Sequence, residues 1–249
     1  MALEKGYYRE AGIDLEIIQG SPNPNIEMLV STETATLGLV PADKVLLGVA
    51  RGLPLISVMV QNQHDPQAIM VHDASPVKKL ADSSGRKVAI TTDATFFVYL
   101  QNYYQYKDTT VLPYTGTISN FVLDPEYIQQ AVPQSEPFYA LLKGVKSRCL
   151  LVSESGFDPY RVVVASKKLL VMRPNWIRAF AKASYRGWVD FYRDPKPALA
   201  EIQKQNPTAD LEGLNYAIRE IKKRKFTEGD FKKGEFFGKC DPKALANLG

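Results

Sequence analysis

The sequence predicts an α/β protein of two lobes, each a mostly parallel sheet flanked by helices. Three observations predict it. Strand-like apolar runs alternate with stretches of helical spacing from Tyr7 to Ser166, joined by short connections. The length of 249 residues is long for one core and comfortable for two. Beyond Ser166 the alternation stops and amphipathic helices take over.

The elements follow in order. Leu3, Tyr7 and Tyr8 recur at helical spacing, Gly12 supplies a left-handed stop, and Ile13, Leu15 and Ile17 then alternate like a strand. The run from Gly20 to Asn25, rich in Pro and Asn, is a loop at the end of that strand. Ile26, Leu29 and Val30 begin a short helix, and Thr36–Val40 reads as a buried strand. Pro41 opens the next helix, at a first-turn position where its missing N–H costs little. Leu55–Val60 and Ala68–His72 are strands, with the polar loop Gln61–Pro66 between them. Val88–Ile90 is another strand, and Thr91–Thr95 leads into an aromatic helix through Phe96, Phe97 and Leu100. Val111–Tyr114, Arg148–Val152 and Arg161–Ser166 complete the strands, and Pro137–Lys143 is a helix started by Glu136. Helices then open at Pro174, after Pro195 and near Leu211.

Composition excludes several classes of function. A net charge of +4 is a mild excess over this length and describes a weakly basic surface without a nucleic-acid partner. Cys149 and Cys240 lack metal-ligand spacing, and whether they pair is left open. No cofactor is indicated. The Gly-rich phosphate loops and the Gly-x-Ser-x-Gly elbow are missing, and His64 beside Asp65 implies no nucleophile, so no catalytic residue is assigned. No apolar run approaches the roughly 20 residues of a membrane span.

The string Glu4-Lys5-Gly6-Tyr7-Tyr8-Arg9-Glu10-Ala11-Gly12-Ile13-Asp14-Leu15-Glu16 resembles the opening of the thiamine-precursor, taurine and aliphatic-sulfonate binding proteins of bacterial ABC importers. The likeness continues through Leu80–Lys87, where Ser83 replaces a usual leucine, and through Ser135-Glu136-Pro137. It extends to Gly156–Arg161 and to Pro174, Arg178-Ala179-Phe180 and Gly187-Trp188. It implies a type II periplasmic binding protein fold, periplasmic or at the cell surface, monomeric, with a small-molecule ligand in a cleft between lobes and an ABC permease as partner. It also implies an export signal and a first strand ahead of the Tyr7 helix, so that strand is expected to be missing here and the shortened form to be less stable or to bind more weakly. Lobe 1 is expected to span 1–70 plus 166–249, and lobe 2 to span 71–165.

In parallel sheets ligands sit beyond the carboxyl ends of strands, which nominates Asn25, Pro41 and Gln63. The start of the aromatic helix nominates Asp93, Thr95 and Phe96, as ligand contacts or simply as helix caps. Glu136 is either an acceptor for a ligand amine or ring N–H, or a dipole-compensating acid. With the resemblance, Tyr114, Tyr139 and Tyr160 join Phe96 as aromatic faces for a planar heterocycle. A thiamine-precursor-like pyrimidine is the expected ligand, with sulfonates second. The alternative in another class is an enzyme like the fungal and yeast pyrimidine synthase of thiamine biosynthesis, whose Cys-rich motif this chain lacks.

Overall fold

The computed structural model describes residues 1–18, 25–92, 94–229 and 238–240. Asp93 and the loop residues Gly20–Pro24 lie outside the described residues. The chain forms two compact units. The first holds Met1–Gln63, Pro159–Leu211 and the described residues from Thr227 on; the second holds His64–Asp158 and Glu212–Phe226.

The first unit opens with α1 (Tyr7–Glu10), α2 (Ile26–Ser31), β1 (Leu37–Pro41), α3 (Ala42–Ala50) and β2 (Leu55–Asn62). Gly12, at φ +70°, ends the first turn as its sequence position predicts, and Ile13 N closes it on Tyr8 O at 2.8 Å. The strand expected at Ile13–Ile18 does not form: the segment carries no regular secondary structure and joins neither sheet, although Ile13 is buried.

The second unit follows with β3 (Ala68–His72), β4 (Lys87–Ile90), α4 (Thr95–Tyr103), β5 (Thr110–Pro113) and α5 (Ser119–Leu123). It continues through β6 (Ile128–Ala131), α6 (Glu136–Leu142) and β7 (Ser147–Leu151). The chain then returns to the first unit as β8 (Arg161–Ser166), α7 (Lys167–Met172), α8 (Pro174–Arg193) and α9 (Lys196–Gln205). Most of α10 (Leu211–Arg224) packs with the second unit.

The sheet of the second unit has the order β5-β4-β6-β3-β7. β4 runs parallel to β5 and β6, whereas β3 is antiparallel to β6 and β7. Ala68, Ile69, Met70 and Val71 of β3 are all fully buried, because layers cover both faces of the sheet. Ile69 and Val71 face a core with Phe96, Phe97 and Leu100 of α4; Met70 faces the other way, toward Phe121, Ala131 and Ala140. A helix–sheet–helix sandwich results.

The first unit corrects the expectation of mostly parallel sheets. Its order is β1-β8-β2, and both pairs are antiparallel. The reason is the excursion into the second unit: β8 comes back in the reverse direction and inserts between β1 and β2. Tyr8, Ile13, Val163, Phe180 and Ala183 form a core there, with Tyr8 and Phe180 rings stacked at 5.4 Å. A Cβ on Gly187 of α8 would stand 2.9 Å from Ala2 N, so glycine is what admits the N-terminal turn. Among the described residues no helix is long and apolar enough to cross a membrane.

Candidate functional site

Three parallel neighbours, β5, β4 and β6, end on one edge of the second unit's sheet, and their loops meet there. Gln130 ties two of them together: its Oε1 accepts from Thr91 N at 2.8 Å and from Thr91 Oγ1 at 3.1 Å. Tyr114, just past β5, donates its N–H to Ile90 O at 3.3 Å, which holds it beside the end of β4.

From that position Tyr114 Oη donates to Glu136 Oε1 at 2.8 Å, and Val132 N donates to Glu136 Oε2 at 2.8 Å. The loop after β6 therefore folds back so that both oxygens of one carboxylate receive a donor. Burial raises the Tyr114 phenol above its ordinary range, and the neighbouring Glu136 charge and their hydrogen bond add to this. The phenol thus stays a proton donor at any ordinary pH. Each carboxylate oxygen carries two lone-pair sites, so one on each remains for N–H groups from outside the protein.

Glu136 lines a pocket of about 470 Å³ with Gly116, Thr117, Ser135, Tyr139 and Lys143. Tyr139 is 40% exposed, and its ring meets Phe138 edge to face at 5.3 Å. Phe138 in turn leans on Tyr216 of α10 at 5.2 Å. An acceptor-only carboxylate, a half-exposed aromatic ring and one lysine ammonium suit a small planar molecule that brings hydrogen-bond donors.

Of the residues singled out from sequence, Tyr114, Glu136 and Tyr139 come together here. Thr95 is the first residue of α4, while Phe96 is 4% exposed and packs into the core beneath. The other four belong to the first unit. Asn25 caps α2 through Met28 N at 3.0 Å, and Pro41 precedes α3 in register with Arg161. Gln63 is buried, with Nε2 donating to Lys239 O at 2.9 Å; Tyr160 is buried, and its carbonyl accepts from Ala42 N at 2.8 Å. Sequence reasoning missed Gln130, Thr117 and Lys143. Gln130 carried no clear signal, because it follows another glutamine, Gln129, and its partner is 39 residues away.

His64 reaches across the chain to Asp158. Its Nδ1 donates to Asp158 Oδ2 at 2.6 Å, and Asp65 N donates to the other oxygen at 2.8 Å, so the pair braces the two chain segments that enter and leave the second unit. His72 donates Nε2–H to Phe121 O at 2.6 Å and stacks on the Phe121 ring. No group of three or more His, Cys, Asp or Glu side chains is placed to hold a metal ion among the described residues.

Residues 1–198 match the model of the family described as NMT1/THI5 like. A riboflavin-binding protein, RibY of Chloroflexus aurantiacus, is 24% identical over 224 residues, covering 86% of this chain; the chain spans 64% of that relative's length. The alkanesulfonate-binding protein SsuA from Xanthomonas axonopodis pv. citri, solved with bound MOPS, superposes with a TM-score of 0.67 at 14% identity. That match covers 87% of this chain and 77% of SsuA. The desulfurization enzyme DSZB shares the fold at a TM-score of 0.60 and 16% identity, with 99% of this chain and 85% of DSZB covered.

Proposed function

The chain belongs to the NMT1/THI5-like family, and from that premise we propose that it is the solute receptor of an ABC importer. The ligand is a small planar nitrogen heterocycle, a thiamine-precursor-like pyrimidine before any other, and the protein works outside the cytoplasmic membrane with a permease as partner. Binding and release, without turnover, are its activity.

The single observation that carries the ligand class is Glu136. Its carboxylate is held by Tyr114 Oη and Val132 N, both at 2.8 Å, in a pocket where Lys143 is the one cation among the described lining residues. A held carboxylate accepts N–H donors and repels anions. Tyr139 offers the ring a face, a contact contributing about 0.5–1.5 kcal/mol beyond area burial. The flavin named for RibY is also a planar nitrogen heterocycle, which supports the class without choosing the member.

Sulfonates are the second reading, favoured by the likeness to SsuA. A sulfonate wants the planar fork of an arginine, and among the described residues lining this pocket only Lys143 offers positive charge. The fold also carries an enzyme, DSZB, so turnover has its own test. Thermal unfolding is followed with pyrimidines, flavins and alkanesulfonates, and each ligand is recovered afterwards for mass analysis. At 100 times its dissociation constant, a ligand of the folded state adds about 2.7 kcal/mol of stability. Stabilisation by an N–H heterocycle recovered unchanged is the expected result. Stabilisation by sulfonates alone would overturn the ligand class, and a chemically altered ligand would overturn the receptor.

A further inference from the structure

Between Asp158 and Asp190 the sequence carries seven Lys or Arg residues and no acid, in a chain whose net charge is only +4. Part of this stretch forms the exposed helix α7 and its flanks in the first unit. α7 buries none of its six residues, and Val171 and Met172 at its tip are 81% and 67% exposed. Lys167 and Lys168 at its start and Arg173 at its end are exposed as well. Lys168 pairs with Glu33 at 2.9 Å, while no ion pair is recorded for Lys167, Arg173 or Lys182 among the described residues. Met172 and Arg173 share the lip of an open groove of about 300 Å³ with an apolar floor at Val30 and Ala35. Arg178 and Lys182 continue the positive charge along the exposed side of α8, four residues apart.

Exposed apolar side chains among unopposed cations match a partner with an apolar layer directly beneath a layer of anions. An acidic protein surface would meet the cations and leave Val171 and Met172 in need of a second, apolar pocket. A bilayer supplies both layers at once. We propose that the α7 surface docks on a membrane rich in anionic lipid. Val171 and Met172 enter the acyl boundary, and Lys167, Arg173 and Arg178 meet headgroup phosphates. One short helix makes this a weak and reversible attachment.

The test is flotation of the full chain with vesicles of phosphatidylcholine alone, or with about one third phosphatidylglycerol, at about 20 mM and about 200 mM salt. Partition into the anionic vesicles at low salt is expected, with release at high salt and none on phosphatidylcholine. K167Q/R173Q should lower the partition coefficient about 25-fold, about fivefold for each cation removed. V171S/M172S keeps every charge and should lower it about tenfold. The charge-matched pair K87Q/K107Q, on exposed residues of the second unit, should leave it unchanged. No flotation at low salt, or an equal loss in the K87Q/K107Q control, would overturn the proposal. Unchanged partition of V171S/M172S would also overturn it and make an acidic protein the better occupant. All these side chains are exposed, and circular dichroism melts matching the parent verify that the variants fold.

Discussion

Glu136→Gln is nearly isosteric and removes only the charge and one acceptor. In the parent both oxygens accept hydrogen bonds, from Tyr114 Oη and Val132 N at 2.8 Å each. The Val132 N–H cannot reverse, so the glutamine oxygen must turn toward it. The new NH₂ then faces Tyr114 Oη, which can rotate its own proton away and accept. Both bonds survive as neutral ones. Bonds to charged groups contribute about 1.5–3 kcal/mol and neutral ones about 0.5–1.5, so the two losses total about 2 kcal/mol before discounting. Both side chains are half-buried and solvent screens part of the difference, so about 1 kcal/mol of stability is the expected loss. Ligand affinity should fall further. A ligand N–H that loses a charged acceptor and meets an NH₂ forfeits about 1.5–3 kcal/mol, roughly 10- to 150-fold in Kd. Calorimetric titration reads the affinity, and urea unfolding without ligand reads the stability. A Kd within twofold of the parent, beside the expected loss of stability, would reduce Glu136 to a brace for its own loop.

The remaining predictions concern protonation and packing. Tyr114 and Tyr106 both have raised phenol pKa values, chiefly through burial, Tyr106 to about 12. The unfolded chain ionises first, so stability should be intact below about pH 10 and fall as pH rises beyond it; Tyr114→Phe should flatten part of that fall in melts recorded along pH. Burial pushes the Cys149 thiol up to about 12 while Cys240 is exposed, and the two are not bridged. Native protein at about pH 8 should therefore show one fast thiol toward an aromatic disulfide reagent and a second only on unfolding; two fast thiols would refute the burial. Arg148 bonds the carbonyls of Asp73, Ser75 and Val77, the last two at 2.7 and 2.5 Å, closing the turn after β3. Arg148→Lys keeps the charge but not the fork and should lose about 1.5–3 kcal/mol in urea unfolding; a loss below about 0.5 kcal/mol would show that the turn holds itself.

Local features of this fold were legible and long-range ones were not. The Ser135-Glu136-Pro137 start of α6 follows from first-turn chemistry, whereas Pro41, expected in the first turn of α3, ends β1 and stands extended just before the helix. β6 lacks a strand signature in sequence because Ile128-Gln129-Gln130-Ala131 puts two glutamines at its centre. One of them, Gln129, is fully buried, and the other reaches Thr91. Phe96 stands at a helix start, where sequence suggests a ligand face, but α4 turns it inward onto Ile69 and Val71. The contact of Tyr114 with Glu136 spans 22 residues and exists only because β5 and β6 flank β4. The antiparallel insertion of β8 has the same character: no window of sequence contains both β1 and its partner. Glu136 as a carboxylate in the first turn of α6 was legible in the sequence, and the donor that holds its second oxygen, Val132 N, only in the fold.

Calorimetric titration of the purified chain with an N–H-bearing pyrimidine, a flavin and an alkanesulfonate tests the receptor reading most directly. Saturable, one-to-one binding of a heterocycle, weakened in Glu136→Gln and returning the ligand unchanged, is the expected result. Binding of the sulfonate in preference, indifferent to Glu136, would contradict it.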